Sequence, residues 1–502
     1  MLSITHRNPF VFVKRLGVPT QSRPHPINPL SFRRYTTEFT DVNVKEARLS
    51  DNIGKKVNIK GWVRTARLQK NIGFLEVNDG SCLKNIQLII PPNLVEQISY
   101  GSSISAKGTI IKSPAKGQAT EITIDENDPD ALKVVGNCPP SYPLQKKGAS
   151  PEFLRDIAHL RPRTNTTSAM MRIRNAATMA VNEYFQDQGF IIVHTPILTG
   201  SDCEGAGEQF QVIETLKPNE TITKEKFDSL STGFFGSKTF LTVSGQLEAE
   251  IFATSLSKVY TFGPTFRAEA SKTTRHLSEF WMVEMEQANA TLTQLKQHGE
   301  GLIKHCIKRV LERCQDDVNL FASFVDKGLE DRLKNTLEKP FNSITYTQAV
   351  EMLIKSKKKF QFPVEWGANL QSEHEIFLCN ELGGPTFVTN YPRSIKPFYA
   401  RVDQVDDPSR QTVSAVDLLV PKLGEMIGGS EREEREEVLK ENMELVGLDS
   451  KNYEWYMDLR KYGSVPHGGF GLGFERLILY LTGIDNIRDA IPLPRAYGQC
   501  KY

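Results

Sequence analysis

The most constraining stretch of this 502-residue chain lies near its C-terminal end. It reads Gly469-Phe470-Gly471-Leu472-Gly473-Phe474-Glu475-Arg476 and runs straight into the apolar Leu477-Ile478-Leu479-Tyr480-Leu481. Glycine at every second position strips one face of a strand of side chains, because successive strand residues point to opposite faces. A flat ligand can then lie against bare backbone. The strand enters a helix with Arg476 at its start. This is not the GxGxxG turn that opens a dinucleotide site, and the chain has no GxxxxGK[ST] phosphate loop. By itself such a glycine-rich turn is a weak pointer.

Two further patches give it context. Gly189-Phe190-Ile191-Ile192-Val193-His194-Thr195-Pro196 reads as a helix end turning into a strand stopped by proline, which alone is ordinary structure. Phe266-Arg267-Ala268-Glu269 is followed after a polar loop by Thr274-Arg275-His276 and then Glu279-Phe280. Arg267 and Glu269, two apart on a strand, would share a face. One is a five-donor fork suited to phosphate, and the other is an acceptor suited to an exocyclic amine. In isolation the favoured reading of an Arg-x-Glu pair is a cross-strand ion pair.

The rest of the chain divides by pattern. Residues 1–37 hold Arg7, Lys14, Arg15, Arg23, Arg33 and Arg34 and no acid, with hydroxyl residues, proline and bulky apolar residues between. That is the composition of a transit peptide drawn into the mitochondrial matrix; a basic tail touching RNA is the other reading. Over 38–137 apolar residues recur at period 2 (Val57, Ile59, Val63; Ile86, Leu88, Ile90; Ile104, Ala106, Ile110), which suggests an OB-fold barrel. A Pro/Gly/Lys-rich hinge is expected at 138–165. The remainder, 166–502, mixes strands and helices, with a helix near 168–188 ending at Gly189, a polar insertion near 213–238 and a mainly helical segment near 290–355. No apolar run reaches the roughly 20 residues of a membrane span, so no membrane insertion is expected. Seven cysteines, none in a CxxC pair, look like reduced thiols. A net charge of +2 gives no bulk argument for nucleic acid.

Taken together and in this order, the three patches resemble motifs 1, 2 and 3 of the class II aminoacyl-tRNA synthetases, and the class I signatures HIGH and KMSKS are absent. The resemblance spans about 42–502, and a barrel ahead of the catalytic domain is the mark of the subgroup serving aspartate, asparagine and lysine. It implies an α+β protein: an N-terminal OB-fold β-barrel, then an antiparallel sheet flanked by helices that binds bent ATP. By position, Arg267 and Arg476 would be catalytic. ATP would meet Arg267, Glu269, Arg275, His276, Phe280, Glu425 and Arg476, and Mg²⁺ would be held by Asp417 and Glu425. Pro196 would lie at the interface of a homodimer.

The resemblance also bears on the amino acid. The aspartate enzymes carry a lysine where this chain has Ala249. An asparagine side chain offers one acceptor and two donors, an aspartate only acceptors. Glu284 would accept from the amide NH₂ and Arg432 would donate to its oxygen, while Glu204, Ser244 and Gln246 would receive the α-ammonium group. The expected partners are therefore asparagine and tRNA(Asn). On the barrel, Phe74 would stack on an anticodon base and Gln87 read its edge, with Arg64 and Arg67 near phosphates. The rival readings are an aspartate-charging enzyme, an asparagine synthetase built on the same core, and a non-catalytic RNA-binding paralogue.

Overall fold

The computed structural model describes residues 39–125, 128–145, 148–203, 208–214, 221 and 223–502; the basic leader lies outside them. Five strands close the barrel of the first domain, β1 (Lys56–Gln69), β2 (Ile72–Asn78), β3 (Ile86–Ile90), β4 (Ser103–Lys112) and β5 (Thr120–Ile124), and two short strands, Thr40–Asp41 and Leu132–Gly136, pair with β1 and β4. β1 pairs with β2, β2 with β3, β3 in parallel with β5, β5 with β4, and β4 back with β1, which closes a barrel. The inward residues are those of the period-2 pattern, all buried. Gly61 and Gly108 are needed where strands cross closely: a Cβ would come within 2.8 Å of the Asn78 carbonyl at Gly61 and 2.4 Å of the Thr123 carbonyl at Gly108.

The second domain is built on an eight-stranded sheet. Its strands are β6 (Ile191–Ile192), β7 (Lys258–Phe266), β8 (Glu279–Ala288), β9 (Asn342–Thr345), β10 (Thr386–Pro392), β11 (Thr412–Val420), β12 (Gly424–Glu431) and β13 (His467–Gly473), in the order β9-β10-β11-β12-β13-β8-β7-β6. The six central strands are antiparallel, and one parallel strand closes each edge. Alternation sorts the side chains: Val283, Met285, Val416, Leu418, Phe470 and Leu472 enter the main core. That core is completed by helices α1 (Asn165–Asp187), α3 (Leu292–Phe324) and α6 (Phe474–Thr482). The other sheet face carries the polar alternates, with α2 (Gln246–Leu256) and α4 (Ser372–Glu381) beside it and α5 (Glu454–Lys461) packed on α2.

α1 starts under Thr164, whose hydroxyl accepts from the Thr167 N–H, and ends before Gly189, which takes φ 77° as a C-terminal cap requires. The 290–355 segment is mostly helix, but Asn342–Thr345 form an edge strand within it. Within 138–165, Pro151–Asp156 form a helical turn and Arg161 is buried, bonding Asp489 and the carbonyls of Arg488 and Pro492. Near the polar 213–238 stretch, Lys224–Thr232 form a helix. The barrel meets the second domain through Arg172 of α1, which donates to the Gly80 carbonyl while pairing with Asp317 of α3. A second tie is Lys84 with Asp316 at 3.1 Å.

Candidate active site

On the polar face of the sheet lies an open cavity of about 310 Å³. β8 supplies alternate residues to it, Phe280, Met282, Glu284 and Glu286, as a strand with one face in the core must. β11 and β12 bring Asp417 and Glu425, and the junction of β13 with α6 brings Gly471, Gly473 and Arg476. Every residue expected to contact ATP, the metal or the amino acid lines this one cavity, save Glu204, which lies outside the described residues.

At the nucleotide end, Arg267 stands one residue beyond the end of β7 rather than within the strand. Its N–H still bonds the Ser278 carbonyl at 3.1 Å, so the ladder's geometry continues. The guanidinium lies 5.3 Å from the Phe280 ring centroid, so cation and ring together form a shelf on which an aromatic base and a phosphate can both rest. Glu269 faces His276 at 3.3 Å. Arg275 bonds the Ser372 hydroxyl at the start of α4, and Arg476 bonds the Glu425 carbonyl at 2.8 Å. Four cationic or potentially cationic side chains therefore surround one shallow space, which is a setting for a polyphosphate.

Asp417 and Glu425 come together over Gly428. A Cβ on that glycine would sit 3.1 Å from a Glu425 oxygen and 3.5 Å from an Asp417 oxygen, so the bare residue leaves the space between two carboxylates open. This fits a hard divalent cation that takes one or two carboxylates and completes its shell with phosphate oxygens and water. Among the described residues no group of three or more His, Cys, Asp or Glu side chains could hold a metal without such help. Lys396, which pattern reading overlooked, donates to both Asp417 oxygens at 2.8 and 2.6 Å. Burial pushes the Asp417 carboxyl up, and the Lys396 ammonium opposes it.

The amino-acid end is a buried polar network. Glu284 accepts from the Ser244 hydroxyl and, at 2.9 Å, from the Gly245 N–H; its burial pushes its carboxyl up. Gln246 donates its backbone N–H to the Ser244 hydroxyl oxygen at 3.1 Å and points its amide NH₂ at Glu250, 3.1 Å away. Arg432 makes a two-pronged pair with Glu286, bonds the Ser430 hydroxyl at 3.1 Å and lies 5.0 Å from the centroid of Tyr399. That pair holds the guanidinium firmly protonated, while burial pushes Glu286 upward. Glu286 escaped sequence reading, although its period-2 spacing from Glu284 marks it as facing the same cleft. The alternating glycines of β13 act differently from the bare floor expected: a Cβ on Gly469 would strike Glu286, and one on Gly471 would strike Met282. They make room for side chains of the neighbouring strand as much as for ligand.

On the barrel, Arg67 pairs in register with Phe74 and lies 5.4 Å from its ring centroid, and its guanidinium donates to the Gln87 carbonyl oxygen at 2.6 Å. Phe74, Arg67 and Gln87 thus form one cluster. Arg64 is elsewhere: its guanidinium bonds the Arg163 carbonyl, 99 residues along the chain, at the junction of the two domains.

Comparison with known proteins agrees with this architecture. A model of class II tRNA synthetases (D, K and N) matches residues 150–497, and one of OB-fold nucleic acid binding domains matches 57–128. The chain is 50% identical over 459 residues to an asparagine–tRNA ligase of Microcystis aeruginosa, covering 90% of this chain and 98% of that one. It is 47% identical to the chloroplastic/mitochondrial asparagine–tRNA ligase of Arabidopsis thaliana, covering 90% of this chain and 81% of the relative. The crystal structure of the asparaginyl-tRNA synthetase of Pyrococcus horikoshii complexed with asparaginyl-adenylate superposes with a TM-score of 0.78 at 33% identity, covering 92% and 99% of the two chains. On its barrel, its antiparallel sheet, its cleft and these relatives, this chain belongs to the asparaginyl-tRNA synthetase family of class II tRNA synthetases.

Proposed function

We propose that this enzyme joins asparagine to tRNA(Asn) with ATP, by way of asparaginyl-adenylate. The observation that carries the reading is the cleft, which places a cationic, ring-floored end beside a buried end where carboxylates and one guanidinium are already matched. In the first step the asparagine carboxylate attacks the α-phosphorus in line and pyrophosphate leaves. In the second, the terminal ribose hydroxyl of the tRNA attacks the activated carbonyl, gives up its proton and expels AMP, leaving the asparaginyl ester on the tRNA. No protein nucleophile is needed; positioning and neutralisation of developing charge do the work.

Arg267 grips the α-phosphate and Phe280 stacks on adenine, with Glu269 accepting from the adenine amino group. Arg275, His276 and Arg476 hold the outer phosphates. Asp417 and Glu425 would hold Mg²⁺, which when bound neutralises phosphate charge. Ser244, Gln246 and Glu204 receive the ammonium group, Glu284 accepts from the side-chain amide and Arg432 donates to its oxygen. An aspartate would bring an extra buried anion to this end, and a site of matched polar groups discriminates strongly against such a mismatch.

Phe74 and Gln87 read the anticodon, Gln87 with the NH₂ that its bond to Arg67 leaves free of that arginine, and Arg67 attracts the backbone. A homodimer is supported by the exposed apolar residues Ile191, Ile192, Ile197 and Leu198 about Pro196, at the two-residue edge strand β6. The acid-free leader supports import into the mitochondrial matrix. Among the described residues no helix is long and apolar enough to cross a membrane. The test is ATP–pyrophosphate exchange with purified protein: exchange driven by asparagine is expected, and exchange driven by aspartate instead, or by neither, would defeat the proposal.

A further inference from the structure

Glu250 is fully buried on α2, behind the substrate cavity rather than in it, yet donors from four parts of the chain converge on it. Its Oε2 accepts from the Tyr456 hydroxyl at 2.7 Å, from Arg460 at 2.9 Å and from the His467 ring at 2.9 Å. Its Oε1 accepts from Gln246 at 3.1 Å and lies 3.9 Å from the Arg432 guanidinium. Burial works to raise this carboxyl, but Arg460 and His467 hold it below the usual carboxylate range, so it stays ionised. Glu250 does not line the cavity, so its charge can act on a bound substrate only at a distance.

The geometry points to Glu250 as a specificity-determining residue: its charge offsets the cations behind the pocket, so that the side-chain end favours a neutral amide over a carboxylate. This rests on the proposal that asparagine is the substrate. Arg432 sits between two carboxylates, Glu286 and Glu250, and so has little positive potential left for an incoming anion. A neutral amide is nearly indifferent to that potential; an aspartate is not. Arg432 lies 3.9 Å from Glu250, and a hydrogen bond of about 2.9 Å on the far side of its guanidinium puts a bound side chain roughly 7–8 Å from that carboxylate. At an effective dielectric of about 20, a unit charge at that range shifts preference by roughly tenfold to a hundredfold.

The experiment measures Asn- and Asp-dependent pyrophosphate exchange, together with inhibition by asparaginyl- and aspartyl-sulfamoyl-adenosine, so that weak aspartate use is still read. In Glu250→Gln, which keeps the shape and drops the charge, the preference for aspartyl over asparaginyl ligands should rise roughly tenfold to a hundredfold. In the double variant Glu250→Gln/Arg460→Met the charge sum is restored, and the wild-type preference should return. A folded Glu250→Gln that loses activity toward both ligands equally, with the ratio unchanged, overturns the inference, because a purely structural residue would behave so. A double variant that stays as permissive as the single one overturns it too. If the single variant does not fold, the double decides: wild-type preference supports charge balance, and a shift toward aspartate refutes it. Failure of the wild-type enzyme to use asparagine would strike the proposed substrate instead, and is read separately in the same assay.

Discussion

Arg174 of α1 reaches through the core to Glu475, the residue beside Arg476, with a nitrogen 2.8 Å from the carboxylate; the carboxylate is 1% exposed. Glu475 also accepts from the Trp281 N–H at 3.0 Å, which ties the start of α6 to β8 next to Phe280, and the guanidinium lies 4.7 Å from the Phe474 ring centroid. Arg174→Met would leave a carboxylate buried without its cation, a loss of about 3–5 kcal/mol, with roughly 1 kcal/mol more for the ring contact. At about 2 °C per kcal/mol for a domain of this size, the thermal midpoint should fall by roughly 8–12 °C. Burial already pushes the Glu475 carboxyl up against the opposing effect of Arg174, and without the arginine it rises further. A carboxyl whose folded pKa lies above its unfolded value favours folding while protonated and disfavours it as pH rises. The deficit should therefore be smaller at pH 5.5 than at pH 8. Adding Glu475→Gln removes the stranded charge, keeps an oxygen for Trp281, and should recover more than half of the loss. The assay is thermal unfolding of the four proteins of the cycle at both pH values. A single variant within 2 °C of wild type, or a double variant whose loss is the sum of the two singles, refutes the reasoning.

Arg267→Ala should cut pyrophosphate exchange by roughly a hundredfold to a thousandfold, as loss of one charge-stabilising donor does, while thermal unfolding moves by no more than about 2 °C; a folded variant with near-normal exchange would remove Arg267 from catalysis. Phe74→Ala should raise the KM for tRNA by about fivefold to a hundredfold, the worth of one stacked base, and leave exchange without tRNA untouched. An equal loss in both assays would place the effect in folding instead. Asp326 bonds Lys422 and Arg332, which together bring its carboxyl below the ordinary range despite burial. Its stabilising effect is present above the unfolded pKa and lost as pH falls through the folded one. Asp326→Asn should therefore lower stability by about 1–3 kcal/mol at pH 7, with the gap to wild type closing as pH falls below the ordinary carboxylate range; a gap independent of pH would count against the ion pairs.

Much of this was legible in the chain because the informative signals are local. Period-2 alternation named the inward residues of β1, β3 and β4 one by one, and the patches about Arg267 and Arg476 named side chains that line one cavity. What escaped is non-local. Glu250 meets Tyr456, Arg460 and His467 across 206, 210 and 217 residues of sequence, and Glu286 meets Arg432 across 146. No periodicity reports such pairs, and a buried acid looks like any other until its partners are seen. Asn342–Thr345 were read as part of a helical stretch because four residues at a sheet edge are too short to show alternation against helices on both sides. Arg64 carries nothing in its neighbourhood to say that a carbonyl 99 positions away is its partner.

Strand β8 behaves as a ruler. Phe280 at one mark faces the proposed nucleotide end of the cavity and Glu286 at another faces Arg432, roughly 20 Å apart at about 3.3 Å per residue. Because neighbouring positions look in opposite directions, adding or deleting one residue between those marks would not shorten the gap; it would turn the later marks into the core and bring Val283 or Met285 out in their place. Changes of substrate preference in this scaffold can therefore arise by exchanging side chains along the ruler, but not by adding or removing a single residue within it.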